Sequence, residues 1–161
     1  TMVVATPIGV VAAYGMHASS LRSVRFAFVL LITPMMVPVV LIAIGAFYAY
    51  VKLGLLYSMT GLVMAHTILA LPLVLIVTGS ALKSYDMNQE LAARSLGAAR
   101  WRAFLTVTLP QIRFAVVTSA LLSFLTSFDE VVVVLFVVIN LVVDLLYSVL
   151  DPRVRIAGAK A

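Results

Sequence analysis

The sequence predicts an all-α protein, a polytopic transmembrane helical bundle of about five spans with a cytoplasmic helix–loop–helix between two of them. Three observations carry that prediction. Of the 161 residues, 64% are hydrophobic and only 11% are charged, and the mean hydropathy is +1.19, more apolar surface than a soluble domain of this length can hide. The apolar residues are gathered in runs long enough to cross a bilayer. The basic residues that give the net charge of +5 sit between those runs, where a topology signal belongs, so the positive charge does not read as a nucleic-acid surface. A chain of this length holds about five spans of roughly 20 residues each, which leaves little for a soluble domain, and residues 1–161 are read as a single transmembrane domain. There are no cysteines, which excludes disulfides and thiolate metal sites.

In chain order, the first apolar run, residues 2–16, is short and contains Pro7 and Gly9, and Arg22 and Arg25 close it off. It begins at Thr1 with no charged leader or cleavage site, so no signal peptide is expected, and it reads as a chain entered partway through a span. Residues 26–51 are long enough to cross with some tilt. Thr33-Pro34 and Pro38 break the same face in successive turns, which is tolerated where neighbouring helices satisfy the freed carbonyls. Residues 52–60 form a turn containing Gly54, and residues 61–82 form the next span, with His66 and Pro72 inside it. A polar stretch over residues 83–113 follows. Residues 114–150 are then nearly unbroken apolar sequence, interrupted by Asp129-Glu130, Asn140 and Asp144. As one helix that run would be about 55 Å long, nearly twice the hydrocarbon thickness. A split near residues 127–130 is therefore expected, although no Gly or Pro is there to reverse the chain.

Orientation follows from the basic residues. With five spans, Arg22 and Arg25, then Lys83, Arg94, Arg100, Arg102 and Arg113, then Arg153, Arg155 and Lys160 share one side, and Lys52 stands alone opposite. That partition makes the three segments cytoplasmic. A single last helix would strand the basic tail outside.

The cytoplasmic stretch reads as two short helices. Asp86 with Gln89 three residues on approximates a capping box, residues 90–96 are good helix formers, and Gly97 is a natural left-handed stop. Trp101, Phe104, Leu105 and Thr108 then fall at i, i+3, i+4 and i+7 on one mostly apolar face, and Pro110 limits the helix. The residues alone leave two uses open, a compact docking protrusion or an amphipathic loop lying on anionic lipid.

These residues resemble a known family. Binding-protein-dependent ABC permeases carry a loop of Glu-Ala-Ala, three residues, Gly, nine residues, Ile-x-Leu-Pro. This chain has Ala92-Ala93, Gly97, Val107, Thr108, Leu109 and Pro110 at matching spacings. It departs at the acid: Leu91 stands where the family has glutamate, and Glu90 is one residue early. Thr33-Pro34 to Pro38, Leu71-Pro72-Leu73 and Ser127-Phe128-Asp129-Glu130-Val131 resemble the spermidine/putrescine branch of that family, from about residue 2 to 138. In that branch a first span would precede Thr1, so the chain reads as N-terminally truncated. Asn140, Asp144 and Tyr147 followed by Asp151-Pro152-Arg153 resemble the last helix of the dipeptide/oligopeptide branch instead, a hybrid tail suggesting a chimera, a designed sequence or a sequence assigned from incomplete data.

The resemblance implies a permease subunit of an ATP-driven solute importer in the bacterial cytoplasmic (inner) membrane. Glu90, Ala92, Ala93, Gly97, Leu109 and Pro110 would couple it to separate ABC ATPase subunits. A second permease protomer would complete the pathway and a periplasmic solute-binding protein would deliver the solute, a small cation such as a polyamine. No cofactor is expected on this chain, and ATP would be hydrolysed by a partner. A non-transporting scaffold, a truncated or designed bundle, and an oligopeptide-type permease are the competing readings.

Within the membrane, Asn140, Asp144, Tyr147 and Asp151 fall within about 60° of arc on one helix, an interhelical hydrogen-bond seam or a pathway lining. Asp129 and Glu130 lie at the outer end of a span, where paired carboxylates suit an arriving ammonium group or simply hold a helix end in water. His66 has no second ligand at metal spacing and is expected to be a hydrogen-bonded core residue. Met35, Met36, Phe47 and Tyr48 are read as packing residues or interface anchors. No phosphate-binding glycine loop or nucleophile elbow is present.

Overall fold

Ala5, Gly9 and Ala13 recur every four residues and are buried together on the first helix, α1 (Met2–His17). Small residues at that spacing let two backbones approach closely where no hydrophobic driving force separates helix from lipid. The partner is α4 (Met59–Ser84), which buries Val74, Leu75, Thr78 and Leu82. Gly9 sits so close to Val74 that a Cβ there would stand 2.4 Å from Val74 Cγ1. Leu75, Leu82, Ala13 and Ile112 form the core cluster, with Leu71, Tyr85 and Val116 packed around it.

This architecture comes from a computed structural model that describes residues 1–19 and 23–150. Between α1 and α4 lie α2 (Ser23–Ile32), a 3-10 turn (Thr33–Met36) and α3 (Val39–Leu53). After α4 come α5 (Asn88–Ser95), α6 (Arg100–Ala103), a π-helical turn (Phe104–Thr108), α7 (Leu109–Gln111) and α8 (Arg113–Leu150). All elements among the described residues are helical, as expected of an all-α membrane protein. The chain divides into two units, Thr1–Ser127 and Phe128–Ala161. In the first, Ser58 caps α4 by accepting from the Gly61 N–H at 3.0 Å. The second, taken by itself, is the remainder of α8 as far as it is described, with Leu135, Ile139, Val142 and Leu146 exposed.

Two expectations about the spans are corrected. Residues 26–51 do not form one tilted helix, because the segments Ser23–Met36 and Val39–Leu53 are bent by 103°. Pro34 and Pro38 each remove a backbone donor and clash with the preceding turn, and the Thr33 hydroxyl takes up the Val29 carbonyl at 2.8 Å. The split near residues 127–130 is absent, since α8 is helical from Arg113 to Leu150. Local chemistry decides: without Gly or Pro, Ser127 to Glu130 offer nothing to stop a helix. The charge argument for a split rested on Arg153, Arg155 and Lys160, which lie outside the described residues, as do Arg22 and Asp151. Two described helical stretches are long and apolar enough to cross a membrane, Met59–Ser84 and Arg113–Val131, and the bent pair makes a third if counted as one span.

Replacing Pro34 and Pro38 together by leucine is expected to let α2 run into α3, since each proline costs a helix interior about 3 kcal/mol. The spin-label distance between positions 26 and 50 should then lengthen toward the ~36 Å of an unbroken helix. An unchanged distance would assign the bend to packing against α4 rather than to the prolines.

Candidate functional site

The loop between α4 and α8 is built on local signals that the sequence carries openly. Asp86 Oδ1 accepts from the Asn88 N–H at 3.0 Å and starts α5. Gln89 does not complete a capping box; its Oε1 accepts from Gln111 Nε2 at 3.1 Å and ties the start of α5 to α7. At the other end the Ala98 N–H reaches the Ala93 carbonyl and the Gly97 N–H the Arg94 carbonyl, with Gly97 left-handed at φ +94°. That pair of bonds is a Schellman stop, and it needs a residue without a Cβ penalty at position 97.

The second helix departs from expectation. Pro110 does not end it; the chain widens into the π-turn and Pro110 opens α7. A proline cannot bond the carbonyl four residues back, and the wider π spacing accommodates that gap. The predicted single apolar face is divided as a result. Thr108 is buried and the Phe104 ring lies against Tyr14 with centroids 4.4 Å apart, whereas Trp101 and Leu105 are exposed.

At the centre of the loop is Glu90, only 1% exposed. Its carboxylate accepts from the Tyr14 hydroxyl of α1 at 2.5 Å and from the Thr108 hydroxyl at 2.6 Å. Thr108 is also 3.4 Å from the Tyr85 hydroxyl at the end of α4. Arg100 donates through Nε to the Tyr14 hydroxyl at 3.4 Å and places its guanidinium 5.6 Å from that ring's centroid. The bond to Tyr14 holds the Arg100 proton more tightly than usual. One buried carboxylate thus joins α1, α5 and the π-turn, and a buried acid so placed requires donors on both oxygens.

The structure therefore turns Glu90 inward, against α1 and the π-turn. Neighbouring side chains on a helix differ by about 100°, so Leu91, where the family acid would stand, faces outward. Ala92 and Gly97 are exposed and Ala93 is partly covered, with Leu109 half-buried and Pro110 exposed. Leu91, Leu96, Trp101 and Leu105 are exposed along the loop, and large exposed apolar groups suit a protein contact.

Tyr14, the anchor that sequence reasoning missed, lies 76 residues from Glu90. Its only signal was a phenol near the end of the first apolar run, eight residues before Arg22. Among the other predicted residues, His66 is hydrogen-bonded as expected, its Nδ1 2.8 Å from Ser127 Oγ, which in turn donates to Thr1 Oγ1 at 3.1 Å. Asp129 is exposed and Glu130 half-buried on α8. The Asp144 side chain lies outside the described residues.

The chain is similar to known proteins. The family described as binding-protein-dependent transport system inner membrane component matches residues 5–138. The spermidine/putrescine transport system permease protein PotC of Escherichia coli (strain K12) is 32% identical over 133 residues, 83% of this chain and 50% of that protein. PotC of Haemophilus influenzae is 31% identical over 133 residues, 83% of this chain and 52% of its own length. The molybdenum transport system permease protein ModB of Escherichia coli (strain K12) is 35% identical over 83 residues, 52% of this chain and 36% of ModB. The chain spans about half the length of the PotC relatives it matches.

Proposed function

The chain belongs to the family of binding-protein-dependent transport system inner membrane components, and from that membership we propose that it serves as a permease subunit of an ATP-driven importer. The carrying observation is the loop of residues 86–110, whose inner side is fastened to α1 through Glu90 and whose outer side presents Leu91, Leu96, Trp101 and Leu105. That outer side would seat in an ABC ATPase subunit, where ATP is hydrolysed. The displaced acid gives the contact an apolar character and reassigns Glu90 from the partner to the permease itself. Because Glu90 is bound to Tyr14, a shift of the loop on ATP binding would move α1 as a rigid body.

A second protomer would complete the pathway, and a periplasmic binding protein would bring the solute. Similarity to PotC favours a polyamine, and Asp129 and Glu130 supply the charge to receive one; similarity to ModB marks solute identity as the variable part of this architecture.

The test is co-purification in mild detergent with the ATPase of a polyamine importer, comparing the wild type with Gly97→Val. A β-branched residue at φ +94° is strongly disfavoured and should dismantle the turn that aligns α5 and α6. Retention by the wild type, reduced about tenfold or more for a loss of 1.4 kcal/mol or more with helix content unchanged, supports coupling. Failure of the wild type to retain the ATPase would leave a membrane scaffold as the better description.

A further inference from the structure

We infer that a cavity between the cytoplasmic ends of α1, α2 and α4 binds the headgroup of an anionic phospholipid. The cavity measures about 450 Å³, and its walls include His17, Arg25 and Lys83 together with Val24, Phe28 and Leu75. The three basic side chains come from three helix ends: the last turn of α1, the first turn of α2 and the last turn of α4. Leu75 lies eight residues before Lys83 on α4, about 12 Å deeper along the helix. The cavity is thus basic at its rim and apolar further in, which is the polarity of a phospholipid entering from the inner leaflet.

Among the described residues no aspartate or glutamate lines the cavity. The two acids close by in sequence are engaged elsewhere: Glu90 is bound to Tyr14 and Thr108, while Asp86 holds the Asn88 N–H and lines a different cavity beside Gln89 and Gln111. Among the described residues neither Arg25 nor Lys83 has an acidic partner. A cation at the end of α4 complements that helix's dipole, but Arg25 stands in the first turn of α2, where the dipole opposes a positive charge. An anion in the cavity compensates both. Basic pockets between membrane helices on the cytoplasmic side recognise anionic headgroups in this way. A free phosphate would satisfy the rim equally but would gain nothing from the partly exposed Val24 and Phe28, whereas an acyl chain would cover them.

The experiment is native mass spectrometry of the chain released from mixed micelles containing equal amounts of phosphatidylglycerol and phosphatidylcholine. The wild type should retain phosphatidylglycerol preferentially. Arg25→Gln and Lys83→Gln should each weaken retention about fivefold and the double variant about 25-fold, with helix content unchanged by circular dichroism, and Lys83→Arg should keep it. Lys52→Gln and Arg102→Gln, exposed basic residues away from the cavity, should behave as wild type. Equal retention of the two lipids would overturn the inference, as would equal losses from the two control variants. Saturable binding of inorganic phosphate in lipid-free detergent that phosphatidylglycerol does not displace would assign the cavity to a soluble anion and overturn it as well.

Discussion

Glu90→Ala should free the loop from α1 and lower the stability of the chain in detergent by about 3 kcal/mol, as judged from two lost hydrogen bonds to a carboxylate worth about 1.5–3 kcal/mol each, offset in part by the relief of desolvation. The side chain is 1% exposed and both of its oxygens are used, so no water waits to replace it. Removing it leaves the Tyr14 and Thr108 hydroxyls facing a cavity. Chemical denaturation followed by far-UV circular dichroism would read the loss, and amide exchange across α5 should accelerate by about a hundredfold for that free energy. Glu90→Gln keeps the shape and one acceptor and should lose about half as much. Tyr14→Phe and Thr108→Val each remove one of the two bonds to Glu90, and their effects should fall well short of additivity with Glu90→Ala because they share that partner. Wild-type stability and exchange in Glu90→Ala would mean that the loop is held by its apolar contacts alone.

Gly9→Leu should disrupt the contact between α1 and α4. The conflict lies at the Cβ, which would stand 2.4 Å from Val74 Cγ1 and 2.7 Å from Val74 Cβ. Val74 is fully buried and β-branched, with little freedom at χ1 to move aside. The helices must separate, and overpacking of a close-packed site costs about 1–3 kcal/mol or more. Gly9→Ala already introduces the clashing atom and should lose much of the same stability. Gly15→Ala, one turn and a half further along α1 with open space around it, should be neutral or slightly stabilising, since alanine is the better helix former. A lowered denaturation midpoint for position 9 and none for position 15 is the expected pair of results. Equal midpoints for Gly9→Leu and wild type would show that α1 and α4 do not rely on that approach.

The local devices were legible in the sequence, because each is written in adjacent residues. Gly97 as a left-handed stop and the prolines of residues 33–38 act where they were read, whereas Asp86 holds the Asn88 N–H from one residue before the cap position, Met87. The angle produced by those prolines was not legible, since it depends on what the two halves pack against. The course of α8 was misread because length was weighed above the absence of a helix breaker. The direction of Glu90 is a matter of phase: one residue along a helix changes its side chain from outward to inward, and the burying face is known only once α1 is in place. Tyr14 belongs to the same class, a contact between residues far apart in sequence. The π-turn leaves Pro110 as its trace in the sequence, a residue that by itself signals the end of a helix rather than the widening of one.

The bend between α2 and α3 has a consequence for how the chain enters the bilayer. Ten residues in α2 and fifteen in α3 rise about 15 Å and about 22 Å, each short of the ~30 Å hydrocarbon core. Neither half can stand alone as a stop-transfer segment. By contrast α4, with 26 residues, rises about 39 Å and is long enough to anchor itself. Insertion of the bent pair is therefore coupled to α4, which α2 and the 3-10 turn both contact: the two short halves gain a stable berth in the bilayer when α4 is beside them.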